Sequence, residues 1–317
     1  MGADLIPAAP AALARSLESA RTYAKAAKSD ATRRAYRTSW GAFTAWCGSR
    51  NLSFMPATPE TVAVYIAKLA DSGRKVATIE RALAAISEAQ RAGGYPSPRA
   101  SAPVRSVLQG IRRTKLTAQR QVAPIVLSDL RAMVSTLPSG LKGTRDRAIL
   151  LLGFAGAFRR SELVGLDVVD LATSEDGLTV TLRRSKTDQE GAGRKVGIPR
   201  GGSLCPVRAV TVWLGERGDV AGPLFVGLTR HGKSTGLRLD GKDIANLIKS
   251  AAKAAGLDPA KVSGHSLRAG LVTTAARAGK SERAIMGQTG HRSVTMVRRY
   301  IRDAGLFDDN AADGIGL

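Results

Sequence analysis

Arg159 and Arg268 stand more than a hundred residues apart, each inside a short cluster suited to holding a phosphate. Any fold that makes use of both must bring these distant segments to one place. The first cluster reads Phe158-Arg159-Arg160-Ser161-Glu162-Leu163. The second begins at His265-Ser266-Leu267-Arg268, continues through Gly290-His291-Arg292-Ser293, and ends on Tyr300, nine residues after His291. A phosphodiester breaks slowly unless something attacks phosphorus, something stabilises charge on the non-bridging oxygens, and something protonates the leaving oxygen. Tyrosine suits the attack when the product must be a covalent link that can be resealed. Arginine suits the oxygens because its planar fork donates two parallel hydrogen bonds. Two arginines, two histidines and one tyrosine at these spacings therefore make a site that can grip a phosphodiester and attack it.

Charge points to the same kind of ligand. Lys and Arg number 48 against 26 Asp and Glu, a formal net charge of +22. Residues 1–120 carry 19 basic and 7 acidic side chains, and residues 121–317 carry 29 and 19, so the excess is no terminal tail. Both halves can face a polyanion, and nucleic acid is the partner such a balance implies. The only cysteines, Cys47 and Cys205, lie far apart in apolar or helix-start settings. They read as buried small side chains in a reducing compartment, without a disulfide framework. No run of 18 apolar residues offers a membrane span, and no basic segment followed by an apolar core offers a signal peptide. A cytoplasmic protein is expected. No His, Cys or carboxylate grouping has metal-ligand spacing, so no metal or other cofactor is expected.

At 317 residues the chain has room for about two domains. Residues 1–28 are Ala-rich and read as a flexible N-terminal segment. A helix then starts at Ser29 or Asp30, with Tyr36, Trp40, Phe43 and Cys47 on one face. Thr58-Pro59-Glu60 starts a second, whose stripe is Val62, Tyr65, Ile66 and Leu69 and whose end is Gly73. A third runs from about Ala77 to Gly93-Gly94, and Val104, Leu108 and Ile111 mark a fourth. Residues 29–114 thus form a helical bundle, and the aperiodic polar stretch 115–123 a linker. In residues 124–302 a helix capped by Ser128 opens the second domain, and another passes through Ile149, Leu151 and Phe154. Residues 178–185 and 194–199 alternate as the strands of a β-hairpin. Helices follow near 206–217, 241–255, 266–278, 281–288 and 293–304.

Taken together, these boxes resemble those of the tyrosine recombinases, the phage integrase family, and the resemblance covers nearly the whole chain. Phe158-Arg159-Arg160-Ser161-Glu162 is similar to the family's first-arginine box, and His265-Ser266-Leu267-Arg268 to its His-x-x-Arg box. Gly290-His291-Arg292-Ser293 is similar to its Gly-His turn, and Tyr300 stands where the nucleophile is expected. The resemblance implies that Arg159 and Arg268 clamp the phosphate, with Arg159 preferred over Arg160. It implies that Glu162 reaches back to orient Arg159, that His265 partners Tyr300, and that His291 donates to a non-bridging oxygen. Lys186, at the tip of the hairpin, would protonate the leaving 5′ oxygen, with Lys195 on the second strand as the alternative. Ala269 follows Arg268 where many relatives carry histidine, and no role carries over there.

The implied fold is mainly α with a small β-sheet. A helical core-binding bundle and an α/β catalytic domain would form a C-shaped clamp on DNA. Thr78 and Arg81 on the third helix and Lys242 at a helix start would face the major groove, and Arg33, Arg34 and Arg37 the backbone phosphates. The implied activity is site-specific recombination through a 3′-phosphotyrosyl intermediate, by a homotetramer on two sites, through a Holliday junction. A type IB-like enzyme that relaxes supercoils and a DNA-binding protein without catalysis are the other readings, and Tyr300→Phe separates the last from the rest. Residues 303–317 contain four Asp and no Lys or Arg. They read as an acidic tail whose Leu306-Phe307 could anchor on a neighbouring protomer. The length leaves no room for a further N-terminal module of ~60 residues, so no separate arm-binding domain is expected.

Overall fold

The structure is a computed structural model and describes residues 11–115, 122–183, 193–218, 220–291 and 293–304. The chain divides into two compact units, Met1–Arg120 and Gln121–Leu317.

The first unit contains helices α1 (Ala11–Ala26), α2 (Asp30–Gly48), α3 (Pro59–Asp71), α4 (Val76–Ala92) and α5 (Ala102–Thr114). Side-chain caps set two of the starts. Ser29 Oγ accepts the N–H of Thr32, and Thr58 Oγ1 accepts that of Thr61, with Pro59 filling a first-turn position that needs no donor. The bundle closes on Phe43, Trp46, Tyr65, Ile66, Leu83 and Ile86, with the Phe43 and Tyr65 rings 5.0 Å apart edge to face. Helix α1 corrects the expectation of a flexible segment over residues 11–26. Six alanines and the absence of Gly and Pro there favour a helix by propensity alone. Leu13 and Leu17 stay half exposed, so no buried face is required to explain it.

The second unit is built around α7 (Leu141–Ala155), whose Ala148 to Leu152 are all buried, as for a helix enclosed on every side. Helix α6 (Leu127–Ser135) precedes it, and α8 (Arg160–Gly165) follows it. The cap of α6 is not Ser128. The helix starts at Leu127, two residues earlier than that cap implies, and Asp129 Oδ2 accepts the N–H of the capping Val126 at 3.2 Å, because a carboxylate in the first turn can reach back to an open donor. Strands β1 (Leu171–Thr173), β2 (Gly177–Leu182) and β3 (Arg194–Pro199) form an antiparallel sheet in that order. Leu178, Val180 and Leu182 face the core with Val196 and Ile198. The first strand and a second small sheet, β4 (Val226–Leu228) with β5 (Ser234–Arg238), go beyond the sequence reading. Strands of three to five residues leave too little alternation to recognise.

Helices α9 (Pro206–Arg217), α10 (Gly241–Ala254), α11 (Ser266–Arg277), α12 (Glu282–Thr289) and α13 (Val294–Ala304) complete the unit. Two close approaches hold α11 in place. The Leu163 and Leu267 methyls lie 3.0 Å from where a Gly153 Cβ would stand, and the Ile125 carbonyl lies 1.8 Å from that of Gly270. The N–H groups of Ala123 and Ile125 bond to the carbonyls of Lys261 and Ser266, so residue 123 already belongs to this unit rather than to a linker. Both cysteines are buried. Among the described residues no helix is long and apolar enough to cross a membrane.

Candidate active site

Phe154 to Arg159 makes a tight corner between α7 and α8. Ala157 takes φ of 49°, a left-handed conformation that a residue with a Cβ rarely adopts. The Phe158 ring packs 2.1 Å from the place a Gly156 Cβ would occupy, so glycine is required there. The corner aims the Ala157 carbonyl at the guanidinium of Arg268, whose Nη1 donates to it at 2.7 Å. One residue on, Arg159 is the residue that caps α8. Glu162 Oε2 accepts its backbone N–H at 2.8 Å, and Glu162 Oε1 accepts its Nη1 at 2.6 Å. Glu162 is itself buried, so a single carboxylate fixes both the backbone and the side chain of Arg159. Arg160 turns the other way. It is exposed, lies across Gly264 and donates to the Gly241 carbonyl at 3.1 Å.

Arg268 is 1% exposed, and its Nε and Nη2 have no hydrogen-bond partner among the described residues. Burial, together with the charges of Arg159 and Arg194, lowers its pKa to about 10. His265, one turn earlier at the start of α11, is exposed, and its Nε2 lies 3.4 Å from the hydroxyl of Tyr300. Tyr300 comes from α13, half buried against the small cluster of Val272, Ile285 and Val297. The ring of His291 is 6.4 Å from that of Tyr300, centre to centre. Burial first, then Arg268, Arg159, His265 and Arg194, lowers the His291 pKa to about 4. His291 is therefore neutral at neutral pH.

Six expected residues, Arg159, Glu162, His265, Arg268, His291 and Tyr300, thus come together from four separate segments. Lys186 lies outside the described residues. Lys195 is exposed on the opposite face of β3 from the core. Lys242 is exposed in the first turn of α10, next to the carbonyl that Arg160 engages. Thr78, Arg81, Arg33, Arg34 and Arg37 belong to the first unit. Thr78 is half buried; Arg81, Arg34 and Arg37 are exposed; Arg33 pairs with Asp30. Among the described residues no group of His, Cys, Asp or Glu could hold a metal ion.

Three members of the site were missed in the sequence reading. Arg194, at the start of β3, donates to the carbonyls of Gly287 and Gln288 at 3.3 and 3.1 Å and to that of Thr289 at 3.3 Å. It satisfies the open end of α12 and places a third guanidinium beside Arg159 and Arg268. Its parity along β3 matches that of Val196 and Ile198, and a cation on the core-facing parity of a strand was the available signal. Gln288 Nε2 ties α12 to the carbonyls of Ala155 and Gly197 at 2.7 and 3.1 Å. Thr289, fully buried, contacts His291. Gly290 ends α12 with φ of 66°, and a Cβ there would stand 2.9 Å from the Arg194 guanidinium. Gly290→Ala is expected to lower stability by about 1–2 kcal/mol, the cost of a left-handed alanine, in a urea melt. Cleavage should fall further than that loss explains, because the turn carries His291.

The chain matches the phage integrase family over residues 126–305 and belongs to that family; it is a tyrosine-type site-specific recombinase. It is 39% identical over 290 residues to an integrase/recombinase XerD homolog of Selenomonas ruminantium, covering 90% of this chain and 85% of that protein. It is 28% identical over 284 residues to the recombinase Cre of Escherichia phage P1, covering 84% and 81%. Its fold is similar to that of a lambda integrase dimer bound to a COC′ core site, with a TM-score of 0.59 at 16% identity, over 88% of this chain and 73% of that one.

Proposed function

We propose that this chain cuts and reseals duplex DNA through Tyr300. The hydroxyl attacks the scissile phosphorus, the bond to the 5′ oxygen breaks, and a 3′-phosphotyrosyl link remains with a free 5′ hydroxyl. His265 takes the phenolic proton. Arg159, Arg268 and His291 hold the non-bridging oxygens as charge builds in the transition state. Lys186 gives the proton that the leaving 5′ oxygen needs. A 5′ hydroxyl from a second duplex reverses the step, and the bond energy kept in the link makes ATP unnecessary. Two such exchanges on two sites, by four protomers through a Holliday junction, complete recombination. Thr78, Arg81 and Lys242 read the major groove, and Arg33, Arg34 and Arg37 hold phosphates. The single observation that carries this reading is the meeting of the Tyr300 hydroxyl with His265 beside a buried arginine whose Nε and Nη2 have no partner among the described residues.

Protomers are joined, on this reading, by the tail 303–317, with Leu306 and Phe307 as its apolar anchor. A receptor of suitable character is the apolar cavity of about 410 Å³ lined by Leu130, Phe154, Leu204, Leu271 and Ile285. Deleting 303–317 is expected to leave single-site binding intact and to weaken pairing of two sites in native gels. Undiminished tetramer formation would rule the tail out.

The activity is tested by incubating the protein with nicked duplexes tiled from the DNA flanking its own gene, then denaturing. A covalent adduct carried on a 3′ phosphate supports the proposal. Binding without adduct on every duplex favours a non-catalytic DNA-binding role.

A further inference from the structure

Thr289 has one hydroxyl proton and two close neighbours. Its Oγ1 lies 2.8 Å from the Ile285 carbonyl oxygen, one turn back in α12, and 2.7 Å from Nδ1 of His291. A carbonyl can only accept. If the proton pointed at His291, two oxygen lone pairs would face each other at 2.8 Å in a fully buried place, which is repulsive. The proton therefore goes to Ile285, and Oγ1 is left as an acceptor for His291. At 2.7 Å the imidazole must donate from Nδ1. A neutral ring has one proton, so Nε2 carries a bare lone pair.

We propose that Thr289 is a positioning residue that fixes His291 as its Nδ1–H tautomer, so that His291 donates to a phosphate oxygen only after taking a proton on Nε2. The inference rests on His291 being a phosphate ligand, and it adds what that role requires. In the resting site the ring is faced by Arg268 and His265 at the start of α11, Arg159 at α8, itself paired with Glu162, Arg194 from β3 and Tyr300 from α13. Burial first, and then the cations among them, keep it neutral. An anion lodged among the same guanidinium groups cancels their repulsion and makes protonation of Nε2 favourable. Engagement of a phosphodiester is then coupled to uptake of one proton from solvent, and the ring changes from acceptor to donor as the ligand arrives. The clamp on α12 supports the arrangement, because Arg194 binds the Thr289 carbonyl and holds the turn that sets the Thr289 to His291 contact.

The test begins with the resting protein, without DNA. Nitrogen NMR at neutral pH on the three histidines, assigned by substitution, should show His291 protonated at Nδ1 and bare at Nε2. Sulfate, an anion that does not itself titrate in this range, should raise the His291 midpoint by tenfold or more in proton affinity. Thr289→Val should release the tautomer, giving signal from protonated Nε2 in the neutral ring, and Thr289→Ser should restore the wild-type pattern. In cleavage, the wild-type rate should fall on the alkaline side of the His291 midpoint in the complex. Thr289→Val should flatten that limb, since its neutral ring already has an Nε2 donor, and Thr289→Ser should bring the limb back. A resting wild-type ring protonated at Nε2 overturns the proposal, as does a tautomer unchanged in Thr289→Val, or a His291 that sulfate leaves neutral. Should Thr289→Val fail to fold, the wild-type tautomer and the Thr289→Ser comparison still decide. Absence of any DNA adduct would count against the cleavage reading, whereas the tautomer is measured without it.

Discussion

Tyr300→Phe is expected to bind the same duplexes as wild type and to form no covalent adduct with any of them. The substitution removes one oxygen, the atom that would attack phosphorus, and nothing nearby can replace it. His265, at the start of α11, is exposed and its Nε2 lies 3.4 Å from that oxygen. Loss of a nucleophile from an otherwise intact site costs roughly 10⁴-fold or more. The fold should hardly notice. The ring of Tyr300 packs on Val272, Ile285 and Val297, and phenylalanine keeps that contact. A hydrogen bond at a partly exposed hydroxyl contributes about 1 kcal/mol or less. The decisive measurement is therefore paired: a gel shift that persists and a denaturing gel on which the adduct band disappears. An adduct that survives the substitution would place the nucleophile elsewhere, and Tyr23, Tyr36, Tyr65 and Tyr95 all lie in the other unit.

Much of the site could be read in the sequence because its parts are local signals. The helix starts at Ser29 and Thr58, the Gly290 turn and the strand alternation of 178–182 with 194–199 each depend on neighbours within a few residues. The boxes around Arg159, Arg268 and Tyr300 are also short stretches of sequence, legible through their resemblance to those of the tyrosine recombinases. What stayed hidden acts through backbone atoms far away in the chain. Arg194 bonds three carbonyls more than ninety residues on, and Gln288 joins α12 to the end of α7 and the middle of β3. Neither leaves a pattern, since any carbonyl serves as partner. Ala157 is the plainest case. Alanine suggests nothing special, yet its left-handed corner is what presents a carbonyl to Arg268. Helix α1 was misread for the opposite reason: its sequence lacks a buried stripe, and propensity without packing was enough to form it.

Arg268→Met is expected to make the protein more stable while it destroys cleavage. Arg268 is a cation at 1% exposure with a single hydrogen bond, to Ala157, and two donor atoms without partners among the described residues. Burial and the charge of Arg159 work most strongly against its cation, Arg194 adds to them, and Glu162 offsets only part. A buried charge so placed costs the folded state more than it returns, and replacing such groups by an apolar side chain of similar length is neutral or stabilising by about 1–4 kcal/mol. Methionine is flexible enough to fill the channel left by the stem. The linkage to pH has a definite sign. A lowered arginine pKa means that the unfolded chain binds more protons than the folded one from about 10 up to arginine's higher ordinary range. His291, lowered to about 4 from 6.5, does the same in acid. Wild type should therefore lose stability as pH falls from 6.5 toward 4. Part of that loss should disappear in Arg268→Met, because removing one neighbouring cation lets His291 charge more readily. Sulfate should raise the melting temperature of wild type by more than that of the variant, since the variant lacks the buried donors that an anion would satisfy. Cleavage should fall by roughly 10²–10³ or more, the loss seen when a charge-stabilising donor is removed from a transition state. A variant that is both destabilised and still active would mean that Arg268 is held for the sake of the fold, with its donors satisfied by something other than phosphate.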